Sequence, residues 1–265
     1  MLEKSGSHAH IIAKIETPEA LHNIDDILDA SDGIMVARGD LAIEIPAEEV
    51  PLVQKMIIHK CNSVGKPVIT ATQMLESMLE SPVPTRAEVS DIANAIIDGT
   101  DAIMLSEETT LGKFPIEAVE IMTRVATRVE KEVYTRDTIA EYDESHGVTD
   151  VVSQSAVRMA HAVNAKLIVA LTRSGRTARM IARYRPAEAI LALSDAKENA
   201  NKLMLTFGCF PMVAPTFNSA DEIMDIVRKM TLDNKLVKKG DKVIIVAGMP
   251  MGVSRETNFI VVETL

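Results

Sequence analysis

The chain has no tryptophan, and only three tyrosines and five phenylalanines among its 265 residues. With 3% aromatic against 47% hydrophobic residues, the core must be built from Ile, Val, Leu, Ala and Met. Cysteine is almost as scarce. Cys61 and Cys209 give neither a disulfide framework nor a C-x-x-C metal pair, which fits a reducing cytoplasm. The six histidines, His8, His10, His22, His59, His146 and His161, have no ligand spacing and read as non-metal. No apolar run approaches the length of a membrane span, and Met1-Leu2-Glu3-Lys4 does not open a signal peptide. A formal net charge of −10 argues against a general nucleic-acid or anionic-membrane surface, although local basic loops can still bind phosphate. No membrane or nucleic-acid partner is therefore expected. The remaining composition, 25% charged, is that of an ordinary globular protein with length for one large or two modest domains.

The most informative stretch runs from Ile11 to Pro46. Two short apolar runs, Ile11-Ile12-Ala13 and Gly33-Ile34-Met35-Val36-Ala37, each end abruptly in charge. The first ends in Lys14 and Glu16, the second in Arg38, Gly39 and Asp40. Between them Thr17 reads as an N-cap, with Pro18 at the first helical position and Glu19 in the first turn. Leu21, Ile24, Ile27 and Leu28 recur at helical spacing. Strand, helix, strand with charge at both carboxyl ends is the layout of parallel α/β enzymes, whose sites lie at strand ends. Glu16 and Asp40 suit a hard divalent cation such as Mg²⁺. A lysine beside them can offset negative charge developing in a transition state. Charge at one strand end commonly marks only the chain leaving the core, but five such residues ending two neighbouring strands favour a site.

Four strand-plus-helix units are expected before residue 133. Strands fall near 11–16, 33–38, 67–70 and 102–105, and helices near 18–30, 47–64, 85–98 and 115–133. Gly65-Lys66-Pro67 and Asp98-Gly99-Thr100-Asp101 end helices ahead of the third and fourth strands. The strands are apolar throughout, as in a parallel sheet covered on both faces. A polar, acidic stretch at 134–147 reads as a linker. After it come a helix at 153–165, a strand at 166–171, a helix near 175–184, a strand at 189–194 and a helix near 196–205. A strand near 209–214, a helix near 219–232 and strands at 242–247 and 259–262 complete a second α/β domain. A closed barrel needs eight units, so four leave two open edges and predict a chain missing half of such a fold.

The motifs IIAKIE, MVARGDLAIEIP, PVITATQMLESM (67–78), PTRAEVSDIANAIIDGTDAIMLS (84–106) and GKFPIEAV (112–119) together resemble pyruvate kinase. The resemblance implies an α/β chain: the last four units of a TIM-type β/α barrel (1–133), the linker (134–147) and a complete α/β carboxyl-terminal domain (148–265). Met1 to Gly6 then reads as the tail of a severed helix. By resemblance Glu16 and Asp40 hold Mg²⁺ (or Mn²⁺) bridging phosphoenolpyruvate, and Lys14 stabilises the transferring phosphoryl group and the enolate oxygen. Gly39 lets backbone N–H groups approach the substrate carboxylate, and Thr72 contacts substrate on the side where the enolate is protonated. Read alone, Thr72 is a hydroxyl bonding its own loop backbone. Glu107 stands where many family members have glycine, and with Glu108 it makes a weak case for a second metal site.

Thr172-Arg173-Ser174-Gly175-Arg176-Thr177 joins a strand to a helix and reads either as a phosphate cradle or as a cap with solvated arginines. In the family the matching loop binds sugar-phosphate effectors in some members, with Gly248 to Gly252 as its neighbour. The implied reaction transfers phosphoryl from phosphoenolpyruvate to ADP, giving pyruvate and ATP in glycolysis. The K⁺ ligands, the phosphate-gripping arginine and the nucleotide-covering domain of the intact enzyme are missing here, so poor turnover is expected. The family implies a cytoplasmic homo-oligomer, usually a tetramer. Two alternatives stand beside it. One is a non-catalytic regulatory or assembly module binding effectors or a partner chain. The other is a Mg²⁺-dependent oxo-acid lyase, which the 67–119 motifs disfavour.

Overall fold

In the first half of the chain, short runs of Ile, Val and Ala form strands β1 (Ile12–Ile15), β2 (Gly33–Ala37), β3 (Val68–Ala71) and β4 (Ala102–Met104). They pair in parallel in the order β1-β2-β3-β4. Parallel neighbours require a crossover, and helices supply it. These observations come from a computed structural model that describes residues 6–7, 9–134, 147–216, 220–250 and 256–265. The chain divides into two compact units, Met1–Thr135 and Arg136–Leu265. Each is described by itself. The expected helix tail before Gly6, most of the 134–147 linker, and Met251 and Gly252 lie outside the described residues.

The helices of the first unit are α1 (Pro18–His22), α2 (Ile24–Ala30), α3 (Arg38–Glu44), α4 (Val50–Val64), α5 (Arg86–Ile97), α6 (Glu107–Thr110) and α7 (Pro115–Val133). The single helix expected at 18–30 is two. Thr17 caps the first through Ala20 N–H at 3.2 Å, but the Asn23 amide turns back onto the Glu19 carbonyl at 2.8 Å and interrupts the run. α3 was not expected, since Gly39-Asp40 reads as a turn in isolation. α5 opens with a full capping box, Thr85 and Glu88 each satisfying the other's backbone N–H. Asp32 and Asp101 pin the strand starts by accepting the N–H groups of Ile11 (2.8 Å) and Val68 (3.1 Å).

Ile15, Ile34, Val36 and Val68 pack against Ile24, Leu28, Ile57 and Ile58 on the helix side of this sheet. A second cluster joins Met74, Met78, Ile92 and Ile96 to Met122. Strand alternation puts Ile12, Lys14, Met35, Ile69 and Ala102 on the other face, where register aligns Lys14, Met35, Ile69 and Ala102 in one layer. Core clusters therefore cover one face, not both as the apolar strands suggested. In a β/α barrel the second face looks toward the axis, so the unit is a partial barrel. Both β1 and β4 pair on one side only.

The second unit contains α8 (Val148–Val163), β5 (Leu167–Leu171), α9 (Arg176–Ala182), β6 (Ala189–Ser194), α10 (Lys197–Lys202), β7 (Cys209–Val213), α11 (Ala220–Asp233), β8 (Lys242–Ala247) and β9 (Phe259–Thr264). α8 begins five residues earlier than the apolar pattern indicated, directly after Gly147. The sheet order is β7-β6-β5-β8-β9, with only β9 antiparallel. Ile168, Ala170, Ile190, Ile244 and Val246 face α8 and α9, while Val169, Leu191, Leu193 and Ile245 face α11. The chain is thus a partial β/α barrel followed by a separate α/β domain. Among the described residues, no helix is long and apolar enough to cross a membrane.

Candidate active site

The carboxyl ends of all four strands of the first sheet carry polar groups, and the sequence places them there for a local reason. Each apolar run stops where the chain must turn into the next helix. Lys14 points from the uncovered face of β1, with Met35 of β2 beside it in register. Its ammonium pairs with Glu16, just past the end of β1, and bonds the Asp40 carboxylate at 2.6 Å from the first turn of α3. All three side chains are about half exposed, so the cluster is open to a ligand. The hydrogen bond to Asp40, then that to Glu16, raises the Lys14 pKa above its ordinary 10.5. The same bond from Lys14 holds Asp40 below 3.8. At neutral pH Lys14 is therefore an ammonium and Asp40 a carboxylate.

That donor set fits a hard divalent cation such as Mg²⁺ or Mn²⁺. Two carboxylates within reach of one ammonium offer oxygen ligands and leave positions for water or substrate. Among the described residues no cluster of three or more His, Cys, Asp or Glu is placed to hold a metal, so a bound ion would draw further ligands from elsewhere.

Gly39 and Thr72 also come together. The Gly39 N–H donates to Thr72 Oγ1 at 2.7 Å, and that hydroxyl donates to the Ala71 carbonyl at 2.6 Å. The Gly39 amide thus serves Thr72 here, where the sequence reading gave it to a substrate. A Cβ on Gly39 would meet Thr72 Oγ1 at 3.4 Å, an ordinary contact. The chain itself does not require glycine there, and what the missing side chain leaves open is space beside the Thr72 hydroxyl.

Three features were not legible in the sequence. Arg38 is buried, with its guanidinium on Asp91 (2.7 Å), the Thr72 carbonyl (2.7 Å) and the Ala71 carbonyl (3.3 Å). Glu108 is also buried and accepts the N–H groups of Leu75 (3.1 Å) and Ser106 (2.7 Å), tying the loop after β3 to the one after β4. Glu107 is exposed at the start of α6, without positive φ. The two adjacent acids therefore do different things, and the weak second metal site falls. A cavity of about 190 Å³ lined by Thr72, Gln73, Glu76, Ser106, Glu107 and Glu108 opens between these loops. Burial of an acid or an arginine has no local sequence signature, so only their partners reveal them.

In the second unit the chain runs β5-β6-β7 to one side and then crosses to β8 on the other side of β5. The strand order reverses there, and the loop from Thr172 to Thr177 leaves β5 at that point. Ligands of open α/β sheets bind at such switch points. Arg173, Ser174 and Arg176 are exposed, whereas Thr172 and Thr177 are buried. Gly175 sits at φ +83°, where a Cβ would lie 2.8 Å from Arg179 Nη1 and 3.0 Å from Leu203. The Thr177 hydroxyl is 2.8 Å from that of Thr257, and Arg173 lies 3.5 Å from Asp195. Two arginines and Ser174 are presented to solvent, with Thr172 and Thr177 buried beneath them.

Residues 1–119 match the model of the pyruvate kinase barrel domain, and residues 150–263 that of the pyruvate kinase alpha/beta domain. The chain is 48% identical over 260 residues to a pyruvate kinase of Geobacillus stearothermophilus, covering 97% of this chain and 44% of that protein. The pyruvate kinase of Clostridium acetobutylicum is 46% identical over 265 residues, covering 99% and 56%. That of Eimeria tenella is 46% identical over 265 residues, covering 98% and 50%. The chain thus spans about half the length of the curated relatives it matches. Two models of one family, in family order and over nearly all of its length, leave one reading: the chain belongs to the pyruvate kinase family.

Proposed function

We propose that these residues serve phosphoryl transfer between phosphoenolpyruvate and ADP, giving pyruvate and ATP. The observation that carries this reading is the Lys14 ammonium set between Glu16 and Asp40, beside the Gly39–Thr72 pair, at the ends of three adjacent strands. In the reaction the bond from phosphorus to the enol oxygen breaks and one to a terminal ADP oxygen forms. The enolate carbon then takes a proton. Such a transfer leaves little covalent work for the protein, so positioned charge supplies most of the catalysis.

Glu16 and Asp40 would hold Mg²⁺ or Mn²⁺, which supplies Lewis-acid charge at the phosphoryl and enolate oxygens. Lys14 stays protonated through the neutral range and adds charge on the same side. Thr72 places a hydroxyl where the enolate accepts its proton. Arg173, Ser174 and Arg176 at the switch point would take the phosphate of a sugar-phosphate effector. A cytoplasmic location and a homo-oligomeric assembly belong to the same reading.

Because the chain spans about half of its relatives, the test begins below full turnover. Mn²⁺ binding read by electron paramagnetic resonance should weaken about tenfold or more in Glu16→Gln and in Asp40→Asn. Deuterium uptake into the pyruvate methyl group in D₂O, with Mg²⁺ and K⁺, should be lost in Lys14→Met. Steady-state pyruvate release from phosphoenolpyruvate and ADP is then measured beside both, and it is expected to be slow. Mn²⁺ affinity indifferent to both carboxylates would overturn the assignment of the metal. Calorimetry with mono- and bisphosphorylated sugars tests the second loop, and heat unchanged in Arg173→Ala/Arg176→Ala counts against it.

A further inference from the structure

Thr72 and Gln73 are consecutive residues in the left-handed region, at φ +68° and +55°. Neither is glycine, and Thr72 is β-branched, for which such a φ is a true outlier. Conformations of this kind are strained and persist only where surrounding contacts over-determine them. Those contacts come from two consecutive residues at the neighbouring strand end. Arg38 Nη2 donates to the Thr72 carbonyl at 2.7 Å and Nε to the Ala71 carbonyl at 3.3 Å. The next residue, Gly39, holds the Thr72 hydroxyl through its N–H at 2.7 Å. Arg38-Gly39 therefore grips Thr72 at both its backbone and its side chain.

The arginine does not itself face the Lys14–Asp40 cluster. Its other partners lie on the outer helices: Asp91 of α5 at 2.7 Å and Gln54 Oε1 of α4 at 3.4 Å. Gln54 is fixed in turn by Asp98 at 3.0 Å. A guanidinium this buried needs its charge and its donors met, and Asp91 meets the charge. Arg38, Gln54, Asp91 and Asp98 line a cavity of about 630 Å³ bounded by α4 and α5. That places the support on the helix side of the strands, while Thr72 itself lines the cavity between the loops after β3 and β4. Only a planar fork reaches two successive carbonyls and a carboxylate together, and a lysine ammonium cannot.

We infer that Arg38, clamped by Asp91, is the positioning residue that keeps Thr72 left-handed and so aims its hydroxyl. This rests on the proposed role of Thr72 in proton delivery, and two measurements separate the claims. The first reads conformation alone. The ¹³Cα and ¹³Cβ chemical shifts of Thr72 in the 265-residue chain should move toward ordinary loop values in Arg38→Lys and, to a lesser degree, in Asp91→Asn. The second reads chemistry. Methyl exchange of pyruvate at saturation should fall about ten- to a hundredfold in Arg38→Lys, as expected for a misplaced reacting group. Mn²⁺ and pyruvate affinities should stay within about twofold, since Lys14, Glu16 and Asp40 are untouched. In a Thr72→Val background, Arg38→Lys should slow exchange no further.

Unchanged Thr72 shifts in both variants overturn the inference, and Asp91→Asn decides alone if Arg38→Lys does not fold. Shifts that move while exchange does not would uphold the positioning and remove Thr72 from proton delivery. Exchange and affinities falling together would make Arg38 a general structural residue and also overturn the inference.

Discussion

The two sheets answer the same problem differently. The five-stranded sheet has a core cluster on each face, so neighbouring residues such as Ile190 and Leu191 are both fully buried, one under each layer. The four-stranded sheet has its clusters on the helix side alone, and the three residues of its last strand β4 are only half-buried. Its polar cluster is half-exposed at the strand ends. In the second unit the strands are a closed core with a loop on top. In the first, one face of the sheet carries no core cluster, and stability must come from the other.

The largest expected effects test this contrast directly. Ile190→Ala and Leu191→Ala should each cost about 2–5 kcal/mol, because either leaves a cavity in a packed layer. In the first unit Ile34→Ala should cost about as much, but its neighbour Met35→Ala only about 1 kcal/mol. Amide hydrogen exchange, read separately for the two units, measures all four. Equal costs for Ile34 and Met35 would mean that both faces of the barrel sheet are packed.

Gly33→Ala comes next. A Cβ there would lie 2.7 Å from the Pro67 carbonyl oxygen and 2.8 Å from Ile12 Cδ1. Backbone cannot yield cheaply, so a loss of about 1–3 kcal/mol is expected in urea denaturation. The last two predictions concern the exposed cluster, where effects on stability are small and those on ligands large. Asp40 is held below its ordinary 3.8 by Lys14. A depressed carboxyl gives up its contribution only as pH falls through its folded pKa, so the part of Mn²⁺ affinity that Asp40→Asn removes should persist until pH falls below 3.8. In Lys14→Met that same part should begin to be lost at higher pH. A titration of the two proteins with identical midpoints would contradict the pairing. Gly39→Ala should leave stability unchanged or raise it by up to about 1 kcal/mol, since alanine is the better helix former. It should still weaken pyruvate binding by filling the space beside Thr72. A stable variant with full affinity would show that this space is not used.

Much of the fold was legible from local signals. Thr17 and Pro18 marked a helix start because a cap is chosen by residues within one turn. The apolar runs at β5, β6 and β8 were found because full burial leaves no polar position in the strand. α3 was missed, being seven residues long with a glycine in its first turn, too short to show a period. At the site, Lys14, Glu16 and Asp40 were visible as charge ending apolar runs, and their contact is now seen. The handling of Thr72 by Arg38 was not visible, because nothing beside Arg38 in the chain says that it is buried.

By itself, the sequence determined where the strands and helices lie, which residues are apolar enough to form a core, and which charged residues stand at strand ends. The tertiary structure decided who meets whom. Lys14 finds Asp40 across 26 residues, Arg38 finds Asp91 across 53, and Thr177 finds Thr257 across 80. The reason is physical. Periodicity and caps report forces acting within a turn or a strand, whereas an ion pair or a buried donor depends on distance in space. That distance is set only when the strands have taken their order in the sheet.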